Sequence, residues 1–302
     1  MKSNRKRIFF TPLNLMVIPG ILYLLINNYI PMAGISIAFK RIDYSKGIFL
    51  SNWIGLENFK YLFATKDAFI ITRNTILYNI TFIILSTALG LIVGVFLSEI
   101  ISNTAKRIYQ TLILLPQLFS IIIIAYIAVA FLGNEAGFIN KTLLGPGQAI
   151  NFYGTPKYWP FILTMIYLWK GLGYNSIIYL SAIVSVDRNL YEAATVDGLG
   201  HFGQIFYVTI PSIRPTIITL VLIAVGRIFY SDFGLFYQVP MNSGVLYNAT
   251  STIDTYVYRS LLQLNNIAMA SAASTYQALV GFIIIIAVNG IIQRIDRDNA
   301  MF

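Results

Sequence analysis

Six apolar segments, each long enough to cross a lipid bilayer, constrain this 302-residue chain more than any other feature. A bilayer crossing needs about 20 mostly apolar residues in helical conformation. Only 11% of the residues are charged and 57% are hydrophobic, whereas soluble domains carry about 25% charged residues. We therefore predict an all-α integral membrane protein, one transmembrane domain over residues 1–302, with helices near 13–38, 70–101, 108–132, 159–186, 213–236 and 271–293.

The composition excludes several chemistries. The absence of cysteine excludes disulfides, cysteine-ligated zinc and thiol catalysis. The single histidine, His201, predicts no metal site. The chain has no GxxxxGK[ST] phosphate loop, so an ATP-driven process would need an ATPase on another polypeptide. The net charge of +9 does not indicate nucleic acid, because the cations flank apolar segments, where lipid headgroups account for them.

The distribution of cations predicts the orientation. The apolar run after the basic residues 2–7 is too long for a cleaved signal peptide, so we predict an uncleaved helix. Lys106, Arg107 and Arg188 lie in short segments close to helix ends, which the positive-inside rule places in the cytoplasm. We predict both termini inside and long outer connections. Near the outer ends of two spans, Arg73 and Trp159 are predicted to reach the membrane interface.

One polar segment, residues 187–212, separates the fourth and fifth spans and includes YEAATVDGLGHFGQIFYVTIPS at 191–212. Asp187 is a suitable N-cap for a helix that starts at Arg188. Gly198 can end that helix, because glycine adopts a left-handed turn at little cost. A second helix is expected from about Leu199. Its apolar stripe consists of Leu199, Phe202, Phe206 and Ile210.

The spacing within this segment resembles that of a known family. Glu-Ala-Ala at 192–194 is followed by three residues, Gly198, nine residues, and Val208-x-Ile210-Pro211. This pattern is similar to the EAA loop of ABC importer permeases. Residues 52–59 (NWIGLENF) resemble the first outer loop of the binding-protein-dependent, maltose-type carbohydrate-uptake family. Residues 254–259 (DTYVYR) resemble its subgroup for complex oligosaccharides and polysaccharide fragments.

The resemblance implies a multi-pass protein of the bacterial cytoplasmic membrane that imports oligosaccharides by alternating access. The EAA loop would dock as a rigid cytoplasmic coupling element on an ATPase, through Glu192, Ala193, Ala194, Asp197, Gly198 and Pro211. Implied partners are a second homologous permease in a heterodimer, two ATPase subunits that bind ATP and Mg²⁺, and an extracellular solute-binding lipoprotein. The chain itself would be no enzyme and would hold neither cofactor nor metal.

Two clusters of aromatic and polar residues are candidates for the substrate path. In the fourth span, Trp169, Lys170, Tyr174 and Asn175 surround two glycines that weaken the helix and permit a bend. In the fifth, the candidates are Tyr230 and Asp232. Structural roles explain both clusters as well: glycines for close packing with Lys170 paired to an acid of a partner, or an aromatic belt at the outer interface.

Other functional classes compete with this interpretation. An ABC importer for a peptide or another non-sugar solute would share the EAA loop. A secondary transporter would show broken helices in two repeat halves, and only the fourth span is predicted to be broken. A membrane-embedded enzyme would need clustered acid, histidine or serine groups at one depth, and the sequence shows no such cluster.

Overall fold

The computed structural model describes residues 12–144 and 148–295, apart from the side chains of residues 12–14, 49 and 295. The basic residues 2–7, the Gly-Pro-Gly loop at 145–147 and Arg297 lie outside this part. The chain divides into two compact units, of which the described portions are 12–65 with 257–276, and 66–256 with 277–295.

The first unit begins with a long helical run of changing hydrogen-bond pattern. It comprises α1 (Pro12–Leu24), a π-helical turn (Leu25–Tyr29), α2 (Ile30–Met32) and a 3₁₀ segment (Ala33–Phe39). A two-stranded antiparallel sheet follows, in which β1 (Lys40–Arg41) pairs with β2 (Asn52–Trp53) around α3 (Gly47–Leu50). Helix α4 (Glu57–Ala64) completes the stretch.

The NWIGLENF motif shapes the segment from the 3₁₀ turn to α4. Gly55 has φ +61°, a conformation that glycine adopts easily. The Asn58 amide donates to the carbonyls of Ala38 (2.8 Å) and Lys40 (3.0 Å), and Phe59 lies 5.3 Å from the ring of Phe39. The motif therefore ties the end of the first helical run to the sheet and α4.

The second unit contains most of the remaining helices. They are α5 (Lys66–Ser98), α6 (Asn103–Leu118), α7 (Ile121–Leu132), α8 (Trp159–Val184), α9 (Arg188–Val196), α10 (His201–Gln204), α11 (Ile210–Ser212), α12 (Arg214–Gly226), α13 (Phe233–Gln238) and α14 (Tyr247–Thr250). Short π and 3₁₀ turns lie at Ile139–Leu143, Phe152–Gly154, Pro156–Tyr158, Ile205–Thr209 and Gly244–Leu246. Each of the helices α15 (Ile253–Leu262) and α16 (Ile267–Ile295) has some residues in the first unit and the others in the second.

Several helices are long and apolar enough to cross a membrane. Three qualify alone within the described residues: Leu15–Phe39, Lys66–Ser98 and Ile267–Arg294. Two bent pairs raise the number to five if each pair is one span: α6 with α7, bent by 93°, and the 201–212 segment with α12, bent by 60°. Helix α8, with 26 residues, has the length of a span but is not among these candidates.

The breaks differ from those expected. The predicted third span at 108–132 is two helices that meet at Phe119 and Ser120, whose backbones are extended, and Ser120 caps α7 by accepting from Ile123 N. The predicted fifth span at 213–236 stops at Gly226 and resumes as α13. The fourth span, expected to bend, is the unbroken 26-residue α8.

Close packing of α5 on α8 builds the core of the second unit. Gly90 and Gly94 let Tyr179 approach α5, since a Cβ at either glycine would lie 3.1 Å from that side chain. Trp159, predicted to be an interfacial anchor, is instead fully buried, and its indole N–H donates to the Phe152 carbonyl at 2.8 Å. That prediction was wrong because the ring packs into the hydrophobic core with Leu163, Leu235 and Val239, where this carbonyl satisfies its N–H.

Candidate functional site

Local hydrogen bonds form the predicted helix–Gly–helix segment. The Asp187 side chain accepts from Asn189 N at 2.9 Å and caps α9. Gly198 has φ +81°, and the two bonds of a Schellman ending follow: Gly198 N to Thr195 O (3.1 Å) and Leu199 N to Ala194 O (2.9 Å). The predicted cap and left-handed turn are confirmed.

Side chains brace the two arms of this segment against each other. The Tyr191 and Thr209 hydroxyls lie 3.0 Å apart, and the Gln204 amide donates to Thr195 Oγ1 at 2.9 Å. Ala194 is buried on the same side. The small size of Ala194 therefore serves packing within the segment, whereas the neighbouring Ala193 is exposed.

The opposite side of the segment is exposed and carries most of the predicted coupling residues. Glu192, Ala193, Asp197, Gly198 and Pro211 are all exposed. Glu192 lies 3.5 Å from Arg188 Nε, one turn earlier on α9. Exposed pairs of this kind contribute about 0–1 kcal/mol, so the carboxylate remains available to another cation.

Large apolar side chains surround these residues. Their exposed fractions are high for Val196 (87%), Phe202 (76%), Tyr207 (74%) and Phe206 (63%). The π-helical turn at Ile205–Thr209 interrupts the regular periodicity of the predicted stripe, but both of its phenylalanines still face outward. Contiguous exposed apolar side chains mark interaction surfaces.

The segment also contacts the end of α5. His201 Nε2 lies 3.7 Å from a carboxylate oxygen of Glu99, the residue after α5. This contact links the segment to the end of α5, a 33-residue helix that is long enough to cross a membrane.

The candidates of the fourth span point in different directions. Trp169 lines an apolar groove with Ile124 and Phe131 of α7. Asn175 lies against α5, where its Cβ would be 3.2 Å from a Cβ on Gly90. Tyr174 is exposed and Lys170 half-buried. In the described part of the chain Lys170 has no ion pair, so the structure does not bring the four residues together at one point.

Gly173 has a packing role in this helix. A Cβ there would clash with the Ile113 carbonyl of α6. The glycine thus allows α6 to approach α8 closely, as the structural alternative for this span proposed.

The fifth span is broken at a position where side chains from other helices replace its lost backbone hydrogen bonds. The Asn79 amide of α5 donates to the carbonyls of Ile228 (2.9 Å) and Tyr230 (3.1 Å). The buried Gln277 amide of α16 donates to the Phe229 carbonyl between them at 2.7 Å. Three consecutive carbonyls are therefore satisfied away from their own helix. In a membrane, such irregular backbone is tolerated only inside protein or along a water-filled cavity.

Asp254 holds the same break from another side. One carboxylate oxygen accepts from Ser231 N (2.7 Å), Ser231 Oγ (2.8 Å) and Gln277 Nε2 (3.1 Å). Beside these bonds Tyr230 and Asp232 are exposed, and Asp232 also caps α13 through Leu235 N at 3.1 Å. We had not predicted Asn79 or Gln277; the available signal was a polar amide within each apolar span.

Comparisons with known proteins agree with this arrangement. Residues 86–298 match the family described as binding-protein-dependent transport system inner membrane component. Protein LplB of Bacillus subtilis is 33% identical over 95% of this chain and 90% of its own length. The polygalacturonan/rhamnogalacturonan transport system permease protein YteP of the same species is 30% identical over 99% of this chain and 94% of its own.

A solved structure shares the fold. A chain of a bacterial alginate ABC transporter, in complex with an alginate pentasaccharide-bound periplasmic protein, superposes with a TM-score of 0.84 and 30% identity over 94% of each chain. The residues 86–298 that match the family include the exposed helix–Gly–helix segment and the broken fifth span. This chain therefore belongs to the family of inner membrane components of binding-protein-dependent transport systems.

Proposed function

We propose that this chain is the membrane-spanning permease subunit of an ATP-driven importer in a bacterial cytoplasmic membrane, and that its substrates are oligosaccharides bearing carboxylates. Its six spans run near the predicted positions with both termini in the cytoplasm. The observation that carries the proposal is the exposed segment at 187–212, whose two arms are joined by hydrogen bonds. A rigid protrusion with exposed apolar side chains suits a protein groove better than water.

In this proposal the segment is the coupling loop. Glu192 and Asp197 meet basic groups of an ATPase subunit, while Phe202 and Phe206 enter an apolar groove on it. The Schellman turn at Gly198 and the bonds between the arms make the loop stiff enough to transmit a push. ATP and Mg²⁺ are bound by the two ATPase subunits, and the chain itself carries out no chemical step.

The solute path in this proposal passes the broken fifth span. Non-helical backbone there is held by Asn79, Gln277 and Asp254, which leaves Tyr230 exposed beside it. An exposed ring provides a stacking surface for a sugar, and Lys170 of the neighbouring span provides a cation. Alternating access then moves the helices around this point.

Three observations favour acidic sugars. YteP is named for polygalacturonan and rhamnogalacturonan transport. The structurally similar alginate transporter imports an acidic polysaccharide. In addition, neither Lys170 nor Arg227, the residue that follows α12 at the break, has an ion pair within residues 12–144 and 148–295. Cations without a resident carboxylate can receive the carboxylate of a substrate.

The proposal requires partners. They are a second homologous permease in a heterodimer, two ATPase subunits and an extracellular solute-binding lipoprotein. The described side chains of residues 15–32 are exposed on every face of the first helical run. A helix without neighbours in its own unit suits contact with lipid or with the second permease.

Reconstitution of the complex in vesicles tests the function. With ATP on the ATPase side, we expect binding-protein-dependent uptake of oligogalacturonate that exceeds uptake of a neutral glucan of equal length. Collapse of ion gradients should leave the rate unchanged. Uptake that follows an ion gradient without ATP would contradict the proposal, and equal uptake of both sugars would reject its acidic substrate.

A further inference from the structure

A groove of about 700 Å³ lies along the first half of α5 and the start of α8. At one end it is lined by Arg73, Lys157 and Asn248. Farther along it is lined by Leu77, Leu85 and Phe161. The groove therefore has a polar, cationic end and an apolar length, and it is separate from the broken fifth span.

The polar end offers hydrogen-bond donors without a counter-charge. Arg73 donates to Asn74 Oδ1 through Nε (3.2 Å) and Nη2 (2.9 Å), and to the Asn248 carbonyl through Nη2 (2.9 Å). Its Nη1 and the Lys157 ammonium have no partner in the described residues, and no carboxylate lines the groove there. Arg73 was predicted only to reach the membrane interface. Neutral acceptors instead hold its guanidinium in place, and some of its N–H donors remain unused.

The remaining polar groups along the groove are already satisfied. The Thr81 hydroxyl donates to the Leu77 carbonyl at 2.8 Å, and the Thr164 hydroxyl donates to the Pro160 carbonyl at 2.7 Å. The Tyr78 hydroxyl donates to the Ala249 carbonyl at 2.9 Å. The lower groove consequently presents hydrocarbon, which gives the hydroxyls of a sugar nothing to bond.

The length of the groove suits a lipid acyl chain. From Arg73 to Leu85 the α5 axis rises about 18 Å at 1.5 Å per residue. Half of a bilayer's hydrocarbon core is about 15 Å thick. We propose that the groove binds one anionic phospholipid, with its phosphate on Arg73 and Lys157 and an acyl chain along Leu77, Leu85 and Phe161. A cation near the membrane surface attracts anionic lipid by an amount that corresponds to about a fivefold change in affinity.

The test measures lipid retained by the purified transport complex. Native mass spectrometry should detect about one phosphatidylglycerol retained by the wild-type chain in preference to phosphatidylethanolamine. The double variant Arg73→Gln/Lys157→Gln should retain on the order of twentyfold less, from about fivefold per charge. The matched control Lys60→Gln/Lys66→Gln removes two exposed cations from α4 and the start of α5, outside the groove. It should retain lipid like the wild type.

Further variants separate lipid binding from loss of structure. Lys157→Gln alone breaks no bond of the described structure and should still cost about fivefold. The charge-preserving Arg73→Lys/Lys157→Arg should keep the lipid, and Thr164→Phe should expel it by filling the groove. Equal retention by the test and control double variants would overturn the proposal. So would loss of the second permease from the double variant, which would place a partner's carboxylate there, or displacement of the lipid by oligogalacturonate.

Discussion

Gly198 controls the geometry of the exposed loop at the residue scale. Its φ of +81° is unfavourable for any residue with a Cβ by about 1–2 kcal/mol. We predict that Gly198→Ala reorients α10 relative to α9 and lowers several-fold both ATP-dependent uptake and the amount of ATPase that co-purifies with the chain.

A control glycine lies two residues further on. Gly200 has φ −69°, and a Cβ there would meet nothing within 4 Å. Gly200→Ala should therefore transport and assemble like the wild type. If both alanine variants behave alike, the left-handed turn is not what the ATPase recognises.

Glu192 allows a second residue-scale prediction. Glu192→Lys should reduce ATPase co-purification by about tenfold or more, because the new cation would face the basic groups proposed on the ATPase. Arg188→Gln is the control, since it removes only the exposed 3.5 Å pair, which contributes little. A loss of equal size in Arg188→Gln would show that Glu192 acts within α9 and not across an interface.

At the scale of elements, the break between α12 and α13 depends on side chains from distant helices. Asn79→Leu leaves two carbonyls without a hydrogen-bond donor. Each unsatisfied carbonyl lowers the free energy of unfolding by about 1–3 kcal/mol when no water replaces the amide. We predict lower thermal stability of the complex and a raised KM for the oligosaccharide, because Tyr230 loses its fixed position.

Gln117→Leu is the control for that experiment. The side-chain amide of Gln117 on α6 is exposed and makes no hydrogen bond in the described structure. Its loss should therefore change neither the thermal stability of the complex nor the KM. A variant at Asn79 with reduced stability but an unchanged KM would assign the amide a structural role only and would remove the break from the solute path.

At the scale of the whole molecule, the prediction concerns topology. Single cysteines at Lys46 and Asn248 should react with an impermeant thiol reagent on intact cells, whereas those at Lys106 and His201 should react only after permeabilisation. The chain contains no native cysteine, so background labelling is low. Labelling of position 201 from outside would reject both the six-span orientation and the cytoplasmic coupling loop.

Local physics made much of this protein predictable from its sequence. The apolar composition requires a membrane environment, because exposing so much apolar surface to water is unfavourable in free energy. The cap at Asp187 and the turn at Gly198 follow from hydrogen bonds that close within two to five residues. Both partners of each bond are close in sequence, so a sequence motif suffices to predict them.

Only the tertiary structure decided where the spans break and which side chains face one another. Two glycines predicted a bend in α8, but Gly173 instead packs against α6. The fifth span breaks because Asn79 supplies donors to carbonyls 149 and 151 residues away in sequence. A broken helix is stable only where replacement partners meet it. Those partners are set by packing between helices, which no local pattern in this sequence encodes.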